Sequence, residues 1–248
     1  MADPPLLEVR GLARRFGGLL AVRGLDLDVP RGTIVALIGP NGAGKTTSFA
    51  MIAGFVRADA GRVRLDGSDV TGWPPERIAA AGMVRTFQIT QPFAGLTVAE
   101  NIRIGAFLHE RRAAAAMVRA RALGAEFGLG AWLDRPAAAL TIAARKRLEL
   151  ARALAAAPRL LLLDEVMAGL NPVEVHETVA LVRGVRDGGV TILLTEHVMA
   201  AVMALADRVH VLADGALIAA GTPREIAADP RVVEAYLGAG AAARMADG

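Results

Sequence analysis

Three stretches of the chain are apolar at almost every position instead of alternating with polar residues. They span residues 33–38, 160–163 and 190–194, and turn residues or charges bound each of them. Strands that are buried on both faces of a parallel sheet have this composition, because helices cover both sides of such a sheet. The pattern therefore predicts a central parallel sheet built from these three segments.

A second pattern, strict alternation, occurs at residues 25–29, where leucine or valine alternates with aspartate. Alternation of this kind is typical of a strand with one buried face and one solvated face. Residues 6–10 have a composition that allows them to pair beside it. We expect these two strands to be antiparallel and to lie at the periphery of the central sheet.

Helix starts are marked by two capping signals. Thr97 and Glu100 have the spacing of a capping box. Asn171, followed by Pro172 at the first helical position and by Glu174, predicts the start of a helix that runs to residue 186.

Helix ends are marked by proline and glycine. Pro158 stops a helical run over residues 145–157, and Gly188 with Gly189 ends the helix that reaches residue 186. The middle third of the chain is consequently predicted to be mostly helical.

A glycine-rich segment directly follows the first apolar stretch and matches the Walker A pattern in strand, loop and helix context. Its residues are Gly39, Pro40, Asn41, Gly42, Ala43, Gly44, Lys45, Thr46 and Thr47. Glycines allow backbone N–H groups to surround phosphates, the following helix directs its positive end at them, and Lys45 adds a full charge. We expect the Thr46 hydroxyl to bind Mg²⁺. The alternative is a glycine-rich turn that only connects a strand to a helix.

Two acids, Asp164 and Glu165, end the second apolar stretch. Burial of carboxylates at that position is costly without a cation or hydrogen-bond partners, and a magnesium ion provides such a cation. Asp164 suits a water-mediated contact with the ion, while Glu165 is placed to deprotonate the water that attacks a terminal phosphate. The alternative is a solvated strand end. The two motifs together favour an ATPase, and the absence of an Asn-Lys-x-Asp sequence argues against a GTPase.

Composition and charge narrow the class of protein further. With 248 residues and 54% hydrophobic residues the chain is suited to one large domain. The pI of about 10.1 reflects arginine rather than a large charge excess, since the net charge is only +3 and the only lysines are Lys45 and Lys146. We interpret the basic groups at residues 111–112 and 145–147 as solvated helix faces, and with 4% aromatic residues we expect no nucleic-acid partner.

Other classes of site and segment are not expected. The chain has no cysteine, which excludes disulfides and thiolate metal sites, and its four histidines show no metal-ligand spacing. No secretory signal and no stretch of membrane-spanning length is recognised. We therefore expect any role at a membrane to depend on a partner.

The order of motifs along the chain resembles the ATP-binding cassette (ABC) family. It runs from Phe16 through Walker A, Gln88, a signature-like helix start and Asp164–Glu165 to a D-loop-like turn and His197. The segments at 85–88, 168–172, 196–197 and 234–238 are similar to those in ATP-binding subunits of branched-chain amino acid importers.

The resemblance implies an α/β fold in which a P-loop NTPase (RecA-like) core carries a peripheral antiparallel β subdomain and an inserted α-helical subdomain. The core with the β subdomain would comprise residues 1–88 and 158–237. The helical subdomain would comprise residues 89–157, and residues 238–248 would form a flexible tail.

The resemblance also implies roles for single residues. Phe16 would stack on adenine, Gln88 would sense magnesium and the attacking water beside the permease, and His197 would contact the terminal phosphate. Asn171 would end the D-loop. Without the family, Phe16 is a packed loop aromatic, Gln88 a surface amide, His197 a loop residue and Asn171 a plain helix cap.

The segment 140–144 departs from the family pattern, because Leu-Thr-Ile-Ala-Ala stands where Leu-Ser-Gly-Gly-Gln is usual. Thr141 keeps a hydroxyl and Ala143 keeps its N–H, although the added methyl groups crowd the approach of a phosphate. We hypothesise that this weak signature depends on a second, different cassette with a fuller one.

The function implied by the resemblance is that of an ATP-hydrolysing subunit of an ABC importer, with ATP and Mg²⁺ as cofactors and Glu165 as general base. It would pair with a second ATP-binding subunit on integral membrane permease subunits, at the cytoplasmic face of the inner membrane. An extracytoplasmic solute-binding protein would be an indirect partner, and the cargo would be branched-chain amino acids or related small polar solutes. The alternatives are a soluble ABC-type ATPase that acts on nucleic acid or ribosomes, and a catalytically inert regulatory cassette.

Overall fold

The computed structural model of the chain describes residues 4–87 and 92–237. Its strands form one antiparallel sheet and one mostly parallel sheet. The strands are β1 (Leu7–Phe16), β2 (Leu19–Val29), β3 (Ile34–Ile38), β4 (Ala60–Leu65), β5 (Ser68–Asp69), β6 (Met83–Arg85), β7 (Leu160–Asp164), β8 (Thr191–Thr195), β9 (Arg208–Ala213) and β10 (Ala216–Gly221).

The three continuous apolar stretches are the centre of the parallel sheet, as predicted. They form β3, β7 and β8 in a sheet of strand order β10-β9-β3-β8-β7-β6, and every residue of the three strands is buried. Successive side chains of β3 enter two different cores: Ile34 and Ile38 pack in one, and Val35 and Leu37 in the other. Both faces of the sheet are therefore apolar, which removes the alternation from the sequence.

The alternating segment is also a strand, and it is antiparallel to its predicted partner. In the sheet of order β2-β1-β4-β5, Leu7 pairs with Val29 and Val9 with Leu27, while Asp26 and Asp28 are exposed. Both strands extend beyond the predicted segments and meet in a hairpin where Phe16 pairs with Leu19. Strands β4, β5, β6, β9 and β10 were not predicted from the sequence.

Helices cover the sheets and supply a separate helical layer in the middle of the chain. They are α1 (Lys45–Ile52), α2 (Pro75–Ala80), α3 (Val98–Ala106), α4 (Ala113–Glu126), α5 (Ile142–Ala155), α6 (Pro172–Asp187), α7 (Met199–Leu205), α8 (Pro223–Ala227) and α9 (Pro230–Leu237). Both predicted capping boxes are present, at Thr97 before α3 and at Asn171 before α6. The predicted helical run over 145–157 is present as α5, but its ends differ: α5 begins at Ile142, because Thr141 caps it, and ends at Ala155.

Helices α3, α4 and α5 pack on one another around a shared apolar core that includes Ile102, Ala120 and Leu148. At Gly105 the two backbones approach so closely that an added Cβ would lie 2.0 Å from the Arg152 carbonyl oxygen of α5. Only glycine allows this crossing. These helices lie within the predicted helical subdomain, whose expected boundary at residues 88 and 89 falls outside the described residues, as does the expected tail at 238–248.

No helix within the described parts of the chain is both long and apolar enough to cross a lipid bilayer.

Candidate functional site

The Walker A segment forms the turn between β3 and α1 that the sequence predicts. Gly39, Gly42 and Gly44 all have positive φ angles, the last of them at the N-cap of α1. An added Cβ at Gly39 would lie 2.0 Å from the carbonyl oxygen of Leu212 on β9, so the neighbouring strand also requires glycine there. The loop therefore turns tightly enough to direct its backbone N–H groups at an anion.

Lys45, the first residue of α1, lies across this loop. Its Nζ donates to the carbonyl oxygens of Gly39 at 2.7 Å and Pro40 at 3.0 Å. Burial lowers the pKa of Lys45, and the carboxylates of Glu165 and Asp164 act in the opposite direction. The ammonium is thus held inside the phosphate loop and close to both acids.

A cleft of about 800 Å³ opens over the loop and contains most of the predicted site. Phe16, from the β1–β2 hairpin, stands at one end of it with its ring about half exposed, and the guanidinium of Arg14 lies 4.8 Å from the ring centroid. Its lining residues are Phe16, Leu19, Leu20, Ala21, Arg23, Asn41, Gly42, Ala43, Gly44, Lys45, Thr46, Thr47, Glu165, His197, Asp214 and Gly215. The structure therefore brings together the predicted aromatic, phosphate loop, general base and switch histidine.

Glu165 and His197 contact each other at this cleft. Glu165 Oε1 lies 2.7 Å from His197 Nε2, and the histidine side chain is exposed while Glu165 is buried. Glu165 also adopts a left-handed backbone conformation with φ of +50°. For a residue with a side chain this conformation is unfavourable, and such strain is common at functional sites.

Asp164 faces the opposite side of the strand end and has a cation partner that the sequence analysis missed. Its Oδ2 accepts from Arg85 Nη2 at 2.6 Å, and both side chains are buried. Its Oδ1 is buried and without a hydrogen-bond partner among the described residues. A buried carboxylate oxygen in that state is suited to a metal-bound water, and Thr46 borders the same cavity, so the residues present fit a magnesium ion.

Lys146 on α5 corrects one prediction. The basic group at 145–147 was interpreted as a solvated helix face, but Lys146 is buried, and its Nζ donates to the backbone oxygen of Glu165 at 3.2 Å. Residues 111–112 are exposed, as predicted, but they precede α4, which begins at Ala113, so they do not form a helix face. Composition makes Lys146 unusual, since it is one of only two lysines among 28 basic residues, but it does not indicate that the side chain is buried.

Glu196 is a third residue, after Arg85 and Lys146, that was not assigned to the site from the sequence. It is only 2% exposed, and its carboxylate accepts from the backbone N–H groups of Met167, at 2.9 Å, and of His197. Burial raises the pKa of Glu196 to about 7. Its carboxylate thus joins the loop after Glu165 to the loop that carries His197. In the sequence, Glu196 comes shortly after an apolar stretch, just as Asp164 and Glu165 do. That position is the feature from which a role at the site could have been predicted.

The remaining predicted residues lie elsewhere. Thr141 caps α5 by accepting from the N–H of Ala144 at 3.3 Å, and neither it nor Ala143 lines the cleft. Asn171 caps α6 by accepting from the N–H groups of Val173 and Glu174, as its alternative interpretation required. Gln88 lies outside the described residues.

A second, more apolar groove of about 890 Å³ lies on the other side of Thr46. Its walls include the exposed rings of Phe87 and Phe93, and Glu149 of α5 accepts from the backbone N–H of Phe87 at 2.7 Å.

Comparison with known proteins gives a consistent result. Residues 22–168 match a family described as "ABC transporter", and residues 216–242 match one described as "Branched-chain amino acid ATP-binding cassette transporter". The chain is 42% identical to the high-affinity branched-chain amino acid transport ATP-binding protein BraF of Pseudomonas aeruginosa, over 94% of this chain and 98% of that protein. It is 41% identical to the Escherichia coli protein LivG, which has the same description, with the same coverage.

Solved structures agree with these sequence matches. An ATP-binding cassette of an ABC transporter in its ADP conformation superposes with a TM-score of 0.87 at 31% identity, covering 95% of this chain and all of that one. A nucleotide-free cassette superposes with a TM-score of 0.86 at 30% identity, covering 94% of this chain and 98% of that one. The expected fold class, a P-loop core with an antiparallel sheet at its side, is thereby confirmed.

Proposed function

This chain belongs to the ABC transporter family, and from that premise we propose that it hydrolyses ATP to drive an importer of branched-chain amino acids or related small polar solutes. The cargo is supported by the descriptions of BraF and LivG, to which the chain is similar over almost its whole length. The contact between Glu165 and His197 beside the phosphate loop carries the mechanistic part of the proposal.

In this proposal Glu165 is the general base. It takes a proton from a water whose oxygen forms a bond to the terminal phosphorus, while the bond between that phosphorus and the bridging oxygen of ADP breaks. His197 holds the Glu165 carboxylate on one side, and Lys45 places a positive charge at the phosphates. Phe16, at the end of the cleft, offers its ring to the adenine.

Thr46, Asp164 and Gln88 would hold Mg²⁺. When bound, the ion neutralises charge that develops on the terminal phosphates. The buried Oδ1 of Asp164 and the position of Thr46 support this assignment. Arg85 orients the Asp164 carboxylate, because it donates a hydrogen bond to the other carboxylate oxygen.

We also propose that the chain works as half of a dimer on membrane permease subunits, at the cytoplasmic face of the membrane, with an extracytoplasmic solute-binding protein as an indirect partner. ABC ATP-binding subunits work with permeases and dimerise, and here Thr141 and Ala143 lie outside the chain's own cleft. Their position is consistent with covering the nucleotide of a partner subunit. The apolar groove beside Phe93 would receive a short cytoplasmic helix of the permease.

The altered signature favours a heterodimer. Ile142, where the family usually has glycine, is 60% exposed at the start of α5, so its side chain stands on the surface that a partner's nucleotide would approach. Mixing the purified chain with the second cassette of its transporter tests this. Hydrolysis by this chain alone at the rate of the full transporter would contradict the hypothesis of a weak signature.

The base assignment is tested with Glu165→Gln in the assembled transporter. We expect ATP binding to be retained, steady-state phosphate release to fall by about a hundredfold or more, and the closed dimer to persist longer, because only the proton acceptor is removed. Glu126→Gln, at the exposed end of α4, is the matched control and should leave turnover unchanged. Unchanged hydrolysis in Glu165→Gln would refute the role of Glu165. Failure of the wild-type transporter to take up leucine, isoleucine and valine would refute branched-chain amino acids as the cargo.

A further inference from the structure

The two lysines of this chain have a similar location although they are 101 positions apart in the sequence. Lys45 lies in the phosphate loop, and Lys146 lies in α5, where it is only 6% exposed. Each is tied to Glu165: Lys45 through electrostatic attraction, and Lys146 through a hydrogen bond from Nζ to the Glu165 backbone oxygen at 3.2 Å. Lys45 has an evident task at the phosphates, whereas the function proposed above gives Lys146 none.

Glu165 needs to be held, because its backbone is in the left-handed region with φ of +50°. Its N–H donates to the Thr195 oxygen of β8 at 3.0 Å. Its carbonyl oxygen accepts from Ala168 N–H at 3.2 Å and from Lys146 Nζ at the same distance. Of these three bonds, only the one from Lys146 comes from the helical layer, and it is the only one made by a charged donor.

We propose that Lys146 is a positioning residue that fixes the backbone of Glu165 and ties the general base to the helix that begins at the signature segment. The proposal rests on the proposed role of Glu165. Lys146 acts on the reaction through Glu165 and is not assigned a contact with ATP. A charged donor makes a stronger hydrogen bond than a neutral one, which suits a strained carbonyl in a buried setting.

Because Lys146 lies on α5, its hydrogen bond connects the signature segment at the start of this helix to Glu165. Thr141 caps the helix, and Lys146 follows within its first turns. Glu149, three residues further and therefore on the same face, holds the Phe87 N–H at 2.7 Å, at the exit of β6. A rigid-body displacement of α5 consequently moves its contacts with Glu165 and with Phe87 together. Docking of the signature segment on a partner's nucleotide would in this way change the position of Glu165 in the same chain.

Glu196 makes the loss of Lys146 testable without loss of the fold. Its carboxylate holds Met167 N–H, in the turn that follows Glu165, through a hydrogen bond in which Lys146 takes no part, although the Lys146 ammonium attracts this carboxylate electrostatically. The turn also keeps its bonds to Thr195 and Ala168 when Lys146 is replaced. We therefore expect replacement of Lys146 to change the position of Glu165 while the loop stays folded.

The experiment compares Lys146→Met, Lys146→Arg and the neighbouring control Arg147→Met in the assembled transporter. We expect Lys146→Met to lower the kcat of phosphate release about tenfold, with the Kd for ATP within about twofold of the wild type, since one charge-assisted hydrogen bond is lost at the base. Lys146→Arg keeps a charged donor and should recover most of the rate. Arg147 pairs with Glu177 at the surface, so Arg147→Met should leave kcat unchanged.

A double variant separates positioning from general stabilisation. If Lys146 acts through Glu165, Lys146→Met in a Glu165→Gln background causes no further loss of the residual rate, because the group it positions is already inactive. Wild-type kcat in Lys146→Met, or a loss that adds in full to that of Glu165→Gln, overturns the proposal.

Two further results remain decisive. If Lys146→Met does not fold, Lys146→Gln, which keeps an N–H donor, is tested under the same criteria. If Lys146→Gln also fails to fold, Lys146 is needed for folding and the proposed positioning role is wrong. Full turnover in Glu165→Gln refutes the base itself, whereas a stalled Glu165→Gln together with an unaffected Lys146→Met refutes only the role of Lys146.

Discussion

The buried ion pair between Arg85 and Asp164 gives a prediction about stability that can be worked from the structure. The Arg85 side chain is 8% exposed and that of Asp164 1% exposed, and their closest atoms lie 2.6 Å apart. Replacing Arg85 by methionine removes the hydrogen-bonded cation and leaves the carboxylate buried at the end of β7, with Lys45 as the remaining charge near it. A buried charge that has lost its paired cation is among the few mechanisms by which one substitution costs several kcal/mol.

The size of the loss follows from three contributions. Breaking a buried pair from one side costs about 3–5 kcal/mol, mainly because the remaining ion is desolvated. The Arg85 guanidinium also lies 5.7 Å from the ring centroids of Phe55 and Phe87, and each such contact contributes about 0.5–1 kcal/mol. Methionine retains part of the packing on these rings, so we expect Arg85→Met to lower the free energy of unfolding by about 4 kcal/mol. Replacing both partners, as Arg85→Met with Asp164→Leu, should recover most of that loss, since no charge is then left buried.

The assay is equilibrium unfolding in urea, with the slope compared between variants to verify that the same surface is exposed. Arg121→Met is the control, because Arg121 and Asp134 form an ion pair at the surface with both side chains largely exposed. That control should lose less than about 1 kcal/mol. A loss below about 1 kcal/mol for Arg85→Met, or a double variant as unstable as the single one, would refute the reasoning about burial.

Three other predictions concern separate parts of the chain. Phe16→Ala should raise the Kd for ATP by about tenfold or more in a binding titration, because a stacked base contributes about 1–3 kcal/mol, and an unchanged Kd would remove Phe16 from the adenine site. Gly105→Ala should destabilise the chain by several kcal/mol in thermal or urea unfolding, because its Cβ would meet a carbonyl oxygen at 2.0 Å. Gly184→Ala, in the exposed last turn of α6, should instead stabilise the chain by about 0.5–1 kcal/mol. Equal effects of the two substitutions would contradict the close crossing of α3 and α5. Burial lowers the pKa of His210 to about 4, below its value of about 6.5 in an unfolded chain. Between these two values the unfolded state binds a proton that the folded state does not bind. The free energy of unfolding therefore decreases as the pH falls from 7 to 5. The difference in free energy of unfolding between wild type and His210→Gln should therefore change by about 2 kcal/mol over that range. Glu196, whose pKa is raised, has the opposite pH dependence, but it is present in both chains and cancels in the difference. A difference that does not change with pH would contradict the lowered pKa of His210.

The features that could be predicted from sequence are those set by neighbouring residues. A strand covered on both faces is apolar along its whole length, so β3, β7 and β8 were visible in the pattern. The phosphate loop is encoded by consecutive glycines with a lysine and a threonine. The short or mixed strands were missed, because three residues in β6, or a buried histidine in β9, give no periodic signal.

The site residues that could not be predicted depend on partners distant in the chain. Arg85 and Asp164 are 79 positions apart, and no local pattern joins them. Lys146 stands between two arginines in a helix that is basic along its start, so burial of one member depends on how α5 packs against the loop at Glu165. Tertiary packing decides which charged side chain of a helix faces inward, and periodicity alone does not reveal it when charges are adjacent.

Thr46 belongs to the walls of both the nucleotide cleft and the apolar groove. The two cavities therefore share a wall at the first turn of α1, and Asp164 and Arg85 line the groove near it. A displacement of Thr46 would change the shape of both cavities at once. A compound bound in the groove is therefore expected to disturb the residues that we propose for Mg²⁺ as well.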